Sequence, residues 1–355
     1  MAPVPRGGTI AVTGAAGFIG GWVVRGLLDR GYRVRACVRD ESDAVKTSFL
    51  KAMPGYVSGR LTLHSADLNN PGCFDDIFKG CHGVAHVSHV NDYGNAEYIK
   101  GVCDHIIKSV NESDSVNRVV VTSSIAAVVS ERNFDEMVKR PVIYEDRYPD
   151  QGDPRLSGYS QSKQQAEHTF AEAAEQSGMW DSITCCPADN VGPIQSAHQG
   201  DRGPWQGLMK RMLLGECNPA VHGYRPWHTV DVRDTAAVQI AILESVMVGN
   251  GDRYIAYNAE RIDVEEVCAR IDRLLPELGY ATPHLTEDLD EAGLARRRER
   301  RAVYFGTDLR NDRTRALFGI DYRELDDSLR DMAESLISVG GVEPVLRPGF
   351  SLKRP

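Results

Sequence analysis

The sequence predicts an α/β fold in which helices cover both faces of a doubly wound parallel sheet. Over residues 1–190, short apolar segments alternate with longer segments of helical periodicity. Three glycines, at positions 14, 17 and 20, stand between the first strand and the first helix. Alternating strands and helices join through right-handed crossovers into a parallel sheet, and glycines at the first strand-to-helix turn are typical of doubly wound sheets.

The expected elements follow one another in a regular order. The first strand is almost uniformly apolar, as expected when helices cover both faces of a sheet. Gly31 and Gly178 stand where the first and last helices would end, because glycine readily adopts the left-handed conformation there. Asn70 and Pro71 predict the start of a short helix, since asparagine caps helices and proline suits their first turn. The expected strands are residues 9–12, 32–39, 61–64, 83–88, 118–122 and 183–186, and the longer helices are residues 18–30, 95–113 and 159–176.

The pattern changes after Pro187. Residues 188–228 contain glycine, proline, tryptophan and histidine without a clear period. Residues 251–258 have the character of another strand that could return to the sheet, and residues 264–278 and 324–338 have the period of amphipathic helices. The later part of the chain therefore predicts a second body with its own helices.

A chain of 355 residues is long enough for two lobes. We expect the sheet domain at residues 1–190, rejoined by about residues 229–258. Residues 191–355 are expected to form mainly a smaller, interleaved lobe for the substrate.

The composition argues against several classes of function. A net charge of −9 disfavours a nucleic-acid partner or a basic membrane patch. The eight cysteines include no CxxC pair, and no apolar leader precedes them, so we expect reduced thiols in a cytoplasmic protein. The longest apolar stretch, residues 18–28, is too short to cross a membrane, and no metal site is expected.

Gly14, Gly17 and Gly20 form a G-x-x-G-x-x-G pattern. A residue without a β-carbon lets the backbone turn tightly and approach a pyrophosphate. The first helical residues, Phe18 and Ile19, would direct free N–H groups and the positive end of the helix dipole at that anion. The pattern predicts a dinucleotide on a Rossmann domain. A purely structural turn is the alternative, because the spacing differs from the common G-x-G-x-x-G.

The end of the second strand predicts which dinucleotide is bound. NAD enzymes place an acidic residue there for the adenosine ribose. Arg39 occupies this place, and a guanidinium suits a 2′-phosphate and can stack on adenine. Lys46 would add a second positive contact, or it is an ordinary surface lysine. The sequence favours NADP(H), although Asp40 follows directly and could instead be the acid of an NAD site.

Two more strand ends belong to the expected cofactor site. Asp67 and Leu68 follow the third strand, where the adenine edge would arrive, although an aspartate there also suits a helix cap. Val87 and Ser88 end the fourth strand. They would line the crevice, because ligands of open α/β sheets bind at the carboxyl ends of the strands.

A tyrosine, a lysine and a serine form the candidate catalytic set. Tyr159 and Lys163 are four residues apart and share a helix face. A tyrosine has an ordinary pKa of about 10, and a nearby lysine cation lowers it by favouring the phenolate. Ser124 ends the fifth strand, where its hydroxyl could hold a substrate carbonyl. A surface Tyr/Lys pair is the alternative, because Y-x-x-x-K alone is a weak motif.

With these residues the chain resembles the extended short-chain dehydrogenase/reductase family. It is most similar to the branch of dihydroflavonol reductases, cinnamoyl-CoA reductases and their aldehyde and ketone reductase relatives. The matching segments are residues 12–20, 34–40, 66–68, 121–124, 159–163, 187, 191–193 and 230–234.

The resemblance implies roles for individual residues. Ser124, Tyr159 and Lys163 would be catalytic, and Ser124 is preferred to Ser123 because Tyr159 follows it at the spacing of that branch. Arg39 and Lys46 would bind the 2′-phosphate. The resemblance also implies that Pro187 and Asn190 border the nicotinamide.

The chain also departs from that branch. Val129 stands where flavonoid reductases carry an asparagine, and His89 follows Ser88 where a threonine is usual. The segment typical of coenzyme A reductases is not recognisable, so neither a flavonoid nor an acyl-CoA substrate is expected. The candidates for substrate contact are His89, Val129, Trp205, Trp227 and His228. The alternative for the two tryptophans is packing in the core, and the alternative for the two histidines is an ordinary polar contact.

These observations predict NADPH-dependent reduction of a small ketone or aldehyde to an alcohol, in a reversible reaction with Tyr159 as proton donor. One alternative is an NAD-dependent sugar-nucleotide epimerase or dehydratase, which shares the Tyr/Lys pair but needs an acid in place of Arg39. The other is a non-catalytic NADP-sensing regulator, which typically lacks the tyrosine or the lysine.

Overall fold

The computed structural model of the protein describes residues 1–90, 93, 95–129, 134–139, 141–146, 156–201, 203–216, 227–278 and 290–351, with the backbone alone for residues 134–136, 227, 265 and 300. The strands are β1 (Thr9–Thr13), β2 (Arg33–Val38), β3 (Leu61–Ser65), β4 (Gly83–His86), β5 (Arg118–Thr122), β6 (Val142–Ile143), β7 (Asp181–Pro187), β8 (Asp189–Val191), β9 (Trp227–Asp231), β10 (Arg253–Ala256), β11 (Arg261–Ile262) and β12 (Asp308–Leu309).

The helices carry local signals that start and stop them. Asn95 caps the fifth helix by accepting a hydrogen bond from the Tyr98 N–H at 3.0 Å, and Gly178 ends the seventh in the left-handed conformation. The helices are α1 (Phe18–Asp29), α2 (Ala44–Lys51), α3 (Pro54–Val57), α4 (Asp75–Phe78), α5 (Ala96–Asn111), α6 (Phe134–Lys139), α7 (Gly158–Ser177), α8 (Pro204–Leu213), α9 (Val232–Glu244), α10 (Val264–Leu274), α11 (Glu291–Gly306), α12 (Asp312–Phe318) and α13 (Leu325–Ser338). Two short 3₁₀ helices span Ile125–Ala127 and Ala197–Gln199.

A seven-stranded sheet organises the first lobe, in the order β10-β7-β5-β4-β1-β2-β3. Every neighbouring pair is parallel. The α/β class with a doubly wound parallel sheet is therefore confirmed. The strand order reverses between β1 and β4, which creates the crevice where ligands of such sheets bind. β10 returns to the sheet beside β7, with Arg253 opposite Thr184.

A smaller C-terminal lobe has a core of its own. Its buried side chains come from α8, α10 and α13 and include Leu208, Met212, Ile271, Leu329 and Leu336. The three-stranded sheet β11-β9-β8 lies beside this core. Full burial of each such side chain stabilises the fold by about 1.5–3 kcal/mol. Among the described residues, no helix has both the length and the apolar character needed to cross a bilayer.

The chain between β3 and β4 differs from the expectation. The helix predicted to open at Asn70 and Pro71 starts only at Asp75. The intervening residues form turns, in which the Asn70 N–H donates to the Asp67 carbonyl and the Cys73 N–H donates to the Asn70 carbonyl. Gly72 has a φ of +79°, which a right-handed helix does not permit. The cap and proline signals therefore belong to a turn.

Candidate active site

The glycine-rich turn brings the backbone of β1 and α1 close together. Gly14 has a φ of +67°, and a β-carbon there would lie 3.0 Å from the Ser88 nitrogen. A β-carbon at Gly20 would lie 2.2 Å from the Gly14 carbonyl oxygen. Gly17 precedes α1 and offers no side chain to cap it. The first N–H groups of α1 are therefore suited to an anion at this turn.

A cleft of about 1060 Å³ runs along the carboxyl ends of the strands from this turn to α7. It is at the upper end of the range for ligand pockets, as a dinucleotide together with a substrate requires. All the predicted cofactor-binding and catalytic residues line it. They are Gly14, Gly17, Phe18, Ile19, Gly20, Arg39, Lys46, Asp67, Leu68, Val87, Ser88, Ser124, Tyr159, Lys163, Pro187 and Asn190.

One end of the cleft carries two cations beside two carboxylates. Arg39 Nε lies 3.6 Å from Asp67 Oδ2, and the Arg39 side chain is 75% exposed. The Lys46 ammonium pairs with Asp43, whose carboxylate also accepts from the Lys46 N–H at the start of α2. A phosphate would compete with these carboxylates for both cations. Asp40 is not among the residues that line the cleft. Its carboxylate accepts from the Ser42 hydroxyl and N–H at 2.7 and 2.8 Å, and these bonds lower its pKa.

The end of β4 is fixed by Thr13, a residue for which the sequence suggested no role of its own. Thr13 Oγ1 accepts from the N–H groups of Val87 and Ser88 at 3.1 and 3.2 Å and from the Ser88 hydroxyl at 2.7 Å. It also lies 2.9 Å from Nδ1 of buried His86. Thr13 thus ties the ends of β1 and β4 together at the reversal of strand order.

Ser123 and Ser124 follow β5 and point to different surroundings. The buried Ser123 hydroxyl donates to the Glu167 carboxylate. Ser124 is half-buried and lines the cleft, where its Oγ accepts from the Ala126 N–H at 3.2 Å and caps the short helix Ile125–Ala127. Because Oγ serves as the acceptor there, its own proton can be donated to a substrate.

The start of α7 sets Tyr159 and Lys163 beside each other. Ser157 caps this helix by accepting from the Ser160 N–H at 3.1 Å. Lys163 Nζ lies 5.7 Å from the centroid of the Tyr159 ring and donates to the Thr122 carbonyl at 3.0 Å. Burial lowers the pKa of Lys163 to about 8. A cation at this place favours the phenolate form of Tyr159.

Two aromatic rings pack against the ring of Tyr159. The rings of His89 and Tyr93 stack with centroids 5.9 Å apart. Both meet the Tyr159 ring edge-on, at 6.3 and 5.1 Å. Burial lowers the pKa of His89 to about 2, so its imidazole is neutral. Its Nε2 lies 3.1 Å from Ser162 Oγ, which already donates to the Tyr159 carbonyl, so Nε2 is the donor.

The C-terminal lobe reaches over the glycine-rich turn through His198 and Gln199. His198 Nε2 lies 2.8 Å from the Ala16 carbonyl oxygen, and Gln199 Nε2 donates to the Ala16 and Gly17 carbonyls at 3.2 Å each. Both residues line the cleft. No local sequence pattern indicates these two residues, because they lie in the stretch without a clear period.

The five substrate candidates separate into three groups. His89 and Trp205 line the cleft. Val129 and His228 do not, which corrects their prediction as substrate contacts. Val129 is buried in the core of the first lobe, and the ring of His228 packs between those of Tyr257 and Tyr304, both at 5.8 Å. The side chain of Trp227 lies outside the described residues.

Comparison with known proteins places this geometry in a family. A model of the NAD-dependent epimerase/dehydratase family matches residues 10–258. Dihydroflavonol 4-reductase from Zea mays is 38% identical over 202 residues, 54% of this chain and 55% of that enzyme. The chain thus spans about half the length of this curated reductase.

Solved structures of other proteins superpose on nearly the whole of this chain. Vestitone reductase from alfalfa (Medicago sativa) superposes with a TM-score of 0.71 at 25% identity, covering 93% of this chain and 98% of that one. Yeast methylglyoxal/isovaleraldehyde reductase Gre2, solved with NADPH, gives 0.73 at 22% identity over 94% and 100% of the two chains, a likeness of fold alone. The chain belongs to the NAD-dependent epimerase/dehydratase family, that is, to the extended short-chain dehydrogenases/reductases.

Proposed function

We propose that this protein is an NADPH-dependent reductase that converts a ketone or aldehyde to the alcohol, in a reversible reaction. The observation that carries the proposal is the buried Lys163 ammonium against the Tyr159 ring, in the same cleft as Ser124 and the glycine-rich turn. Maize dihydroflavonol 4-reductase and alfalfa vestitone reductase, both reductases by name, support the same reaction class.

The residues of the cleft divide the chemistry among them. The nicotinamide cofactor, when bound, supplies a hydride to the carbonyl carbon. Tyr159 donates a proton to the carbonyl oxygen, and the Ser124 hydroxyl donates a hydrogen bond to the same oxygen as negative charge develops there. Lys163 holds the nicotinamide ribose and makes Tyr159 acidic enough to react near neutral pH. In the reverse direction Tyr159 accepts the proton.

The glycine-rich turn and the cations at the other end of the cleft suit the cofactor. Gly14 and Gly20 leave the space that a pyrophosphate needs, and the start of α1 offers N–H groups to it. Arg39 and Lys46 line the end where a 2′-phosphate would bind, whereas Asp40 is engaged with Ser42. This arrangement supports NADPH rather than NADH.

The substrate end favours an apolar or aromatic carbonyl compound. Its described lining includes Tyr93, Ile125, Leu156 and Trp205 next to the neutral His89. Among the described lining residues, the only lysines and arginines are Arg39, Lys46 and the catalytic Lys163. A nucleotide sugar would need further cations for its diphosphate, so the epimerase alternative is less well supported.

NADPH oxidation with a substrate panel tests this proposal. The panel contains aryl ketones, aldehydes, diketones, a dihydroflavonol and a nucleotide sugar. We expect kcat/KM to be highest for an aryl or alkyl ketone or aldehyde. The highest value for the dihydroflavonol or the nucleotide sugar would contradict the substrate class, and no reduction of any carbonyl compound would contradict the proposed function.

A further inference from the structure

A buried ion pair lies directly behind the catalytic residues. Glu167 of α7 and Arg253 of β10 are 2% and 4% exposed. Arg253 Nε lies 2.8 Å from Glu167 Oε2. Removing two charges from water costs several kcal/mol for each ion, so a pair in this place needs a reason beyond stability.

The pair is connected to the segment that carries Ser124. Before Ser124, the Ser123 hydroxyl donates to Glu167 Oε1. After it, the Ala127 carbonyl accepts from Arg253 Nη2 at 3.3 Å and from Gln164 Nε2 at 3.2 Å. Contacts from the ion pair thus hold both flanks of Ser124.

Arg253 extends the same support further from the cleft. Its Nη1 donates to the Glu145 carbonyl at 2.8 Å. Glu145 Oε1 in turn accepts from the Thr314 hydroxyl of α12 at 3.2 Å. The guanidinium therefore joins α7, the Ser124 segment and the segment before residue 147 at one point.

The pair also lies next to the charge of Lys163. Tyr159, Lys163 and Glu167 follow at intervals of four residues and share one face of α7. The titratable groups that act on Lys163 or face it are His86 and His89 around the end of β4, Cys103 of α5, Cys186 of β7, and Tyr159 and Glu167 of α7.

Most of these groups are neutral. Burial lowers the pKa values of His86 and His89 to about 3 and about 2. Burial raises the pKa values of Cys103 and Cys186 to about 12. Glu167 remains as the negative charge that opposes the loss of the Lys163 proton, and Arg253 is the cation that balances Glu167.

We infer that Glu167 and Arg253 are positioning residues: the pair holds Ser124 from behind and sets the charge balance of the Tyr159–Lys163 couple. The inference rests on the proposed function for the roles of Ser124, Tyr159 and Lys163. The contacts of the pair do not depend on it.

Spectrophotometric titration of the Tyr159 phenolate tests the charge balance without any substrate. The ultraviolet signal of Tyr159 is the difference between each protein and the same protein carrying Tyr159→Phe. In Glu167→Gln we expect the midpoint to rise by about 0.5 in pH or more, because Lys163 loses the anion that opposes the loss of its proton and the phenolate loses the support of that cation. In Arg253→Met we expect the midpoint to fall, since the unbalanced Glu167 keeps the proton on Lys163 more strongly. The double variant should return close to the wild-type midpoint.

The effect of the ion pair on the position of Ser124 is tested by measuring kcat. The double variant Glu167→Gln/Arg253→Met leaves no unpaired charge, so it is the variant expected to fold best. Its kcat should fall about 10- to 100-fold, because the contact of Arg253 with the Ala127 carbonyl is lost. The Kd for NADPH, measured by fluorescence, should stay within about threefold. The kcat comparison uses the best carbonyl substrate of the panel.

A second buried ion pair in the same sheet provides the control. Arg118 and Asp181 are register partners at the amino ends of β5 and β7, the ends away from the cleft, with Nη2 and Oδ2 3.6 Å apart. The double variant Arg118→Met/Asp181→Asn should change the thermal stability without moving the Tyr159 midpoint or kcat.

Three results would overturn the inference: equal midpoints in wild type and both single variants, a wild-type kcat in the Glu167→Gln/Arg253→Met double variant, or the same changes in the control. A wild-type protein that reduces no carbonyl compound would contradict the proposed function instead. The titration midpoints of the Tyr159 phenolate would then still show whether the ion pair affects the charge balance of Tyr159 and Lys163.

Discussion

Ser123 and Ser124 are chemically identical neighbours whose hydroxyls reach different surroundings. Successive residues at the end of a strand face opposite sides. The buried Ser123 hydroxyl donates to Glu167, while half-buried Ser124 uses its Oγ to cap the short helix Ile125–Ala127 at the cleft. The resemblance to a known family selected Ser124 by its spacing to Tyr159. The structure adds that the Ser123 hydroxyl is engaged by Glu167, a contact that the composition of the segment alone does not show.

At the residue scale, Gly20 is the most sensitive position of the cofactor turn. An alanine β-carbon there would lie 2.2 Å from the Gly14 carbonyl oxygen. We expect Gly20→Ala to lower the free energy of unfolding by about 1–3 kcal/mol and to weaken NADPH binding, because the turn must open. Thermal unfolding and NADPH titration measure both effects.

Gly101 of α5 is the matched control, because a β-carbon there has no atom within 4 Å. Gly101→Ala should stabilise the protein by about 0.5–1 kcal/mol and leave NADPH binding unchanged. Unchanged NADPH affinity in Gly20→Ala would be incompatible with a pyrophosphate at this turn.

Arg39 tests the choice of cofactor. We expect Arg39→Ala to raise the KM for NADPH roughly tenfold, equivalent to about 1.4 kcal/mol, and to leave the use of NADH almost unchanged. Steady-state kinetics with both cofactors measure this. Arg25→Ala is the control, because Arg25 pairs with Asp29 on the surface of α1. An equal loss with both cofactors would refute the 2′-phosphate assignment.

The Lys163 ammonium predicts the pH dependence of the reaction. Burial lowers its pKa to about 8, so the charged form is present below that pH and is lost above it. We expect kcat/KM for reduction to fall as pH rises through about 8, measured from about pH 6 to about pH 10. His89 should add no acidic limb, since its pKa is about 2. Activity that stays constant to about pH 10 would argue against a role for this ammonium.

At the scale of elements, the sequence predicted those whose signals are local. β1, β5, α5 and α7 lie close to their expected bounds because apolar runs, caps and end glycines define them. The turn at Asn70 and Pro71 was predicted as a helix start, since capping residues serve turns equally well. α8 falls in the stretch without a clear period and packs against α13, a contact between segments distant in the chain.

The segment Ser196–Gly200 of the C-terminal lobe contacts the glycine-rich turn. Gln199 is 2% exposed and donates to the Ala16 and Gly17 carbonyls. Because a typical lost hydrogen bond costs about 0.5–1.5 kcal/mol, we expect Gln199→Ala to raise the Kd for NADPH about 3- to 10-fold with kcat nearly unchanged. Fluorescence titration and kinetics measure the two effects.

Gln165→Ala is the control for that variant. Gln165 Nε2 donates to Thr169 Oγ1 at 3.0 Å on α7 and does not line the cleft. Its removal should leave the Kd unchanged. A Gln199→Ala variant with wild-type NADPH affinity would mean that the C-terminal lobe does not organise the turn.

At the scale of the whole molecule, the residues that the sequence grouped as cofactor-binding and catalytic all line one cleft, and their roles there remain predictions. The glycines, Ser124, Tyr159 and Lys163 stand in short motifs whose residue types the chemistry requires. Thr13, His198 and Gln199 act through contacts between segments distant in the chain, and such contacts leave no local pattern. For the same reason Val129 and His228 were predicted at the substrate although they pack in the interior.

The central claim is that Tyr159 donates the proton in an NADPH-dependent reduction. NADPH oxidation and NADPH binding in Tyr159→Phe test it most directly, with the best substrate of the panel. We predict that kcat falls at least about 100-fold while the Kd for NADPH stays within about threefold, because the hydroxyl serves the proton transfer and not the cofactor. Turnover close to wild type would contradict the account, since another group would then have to supply the proton.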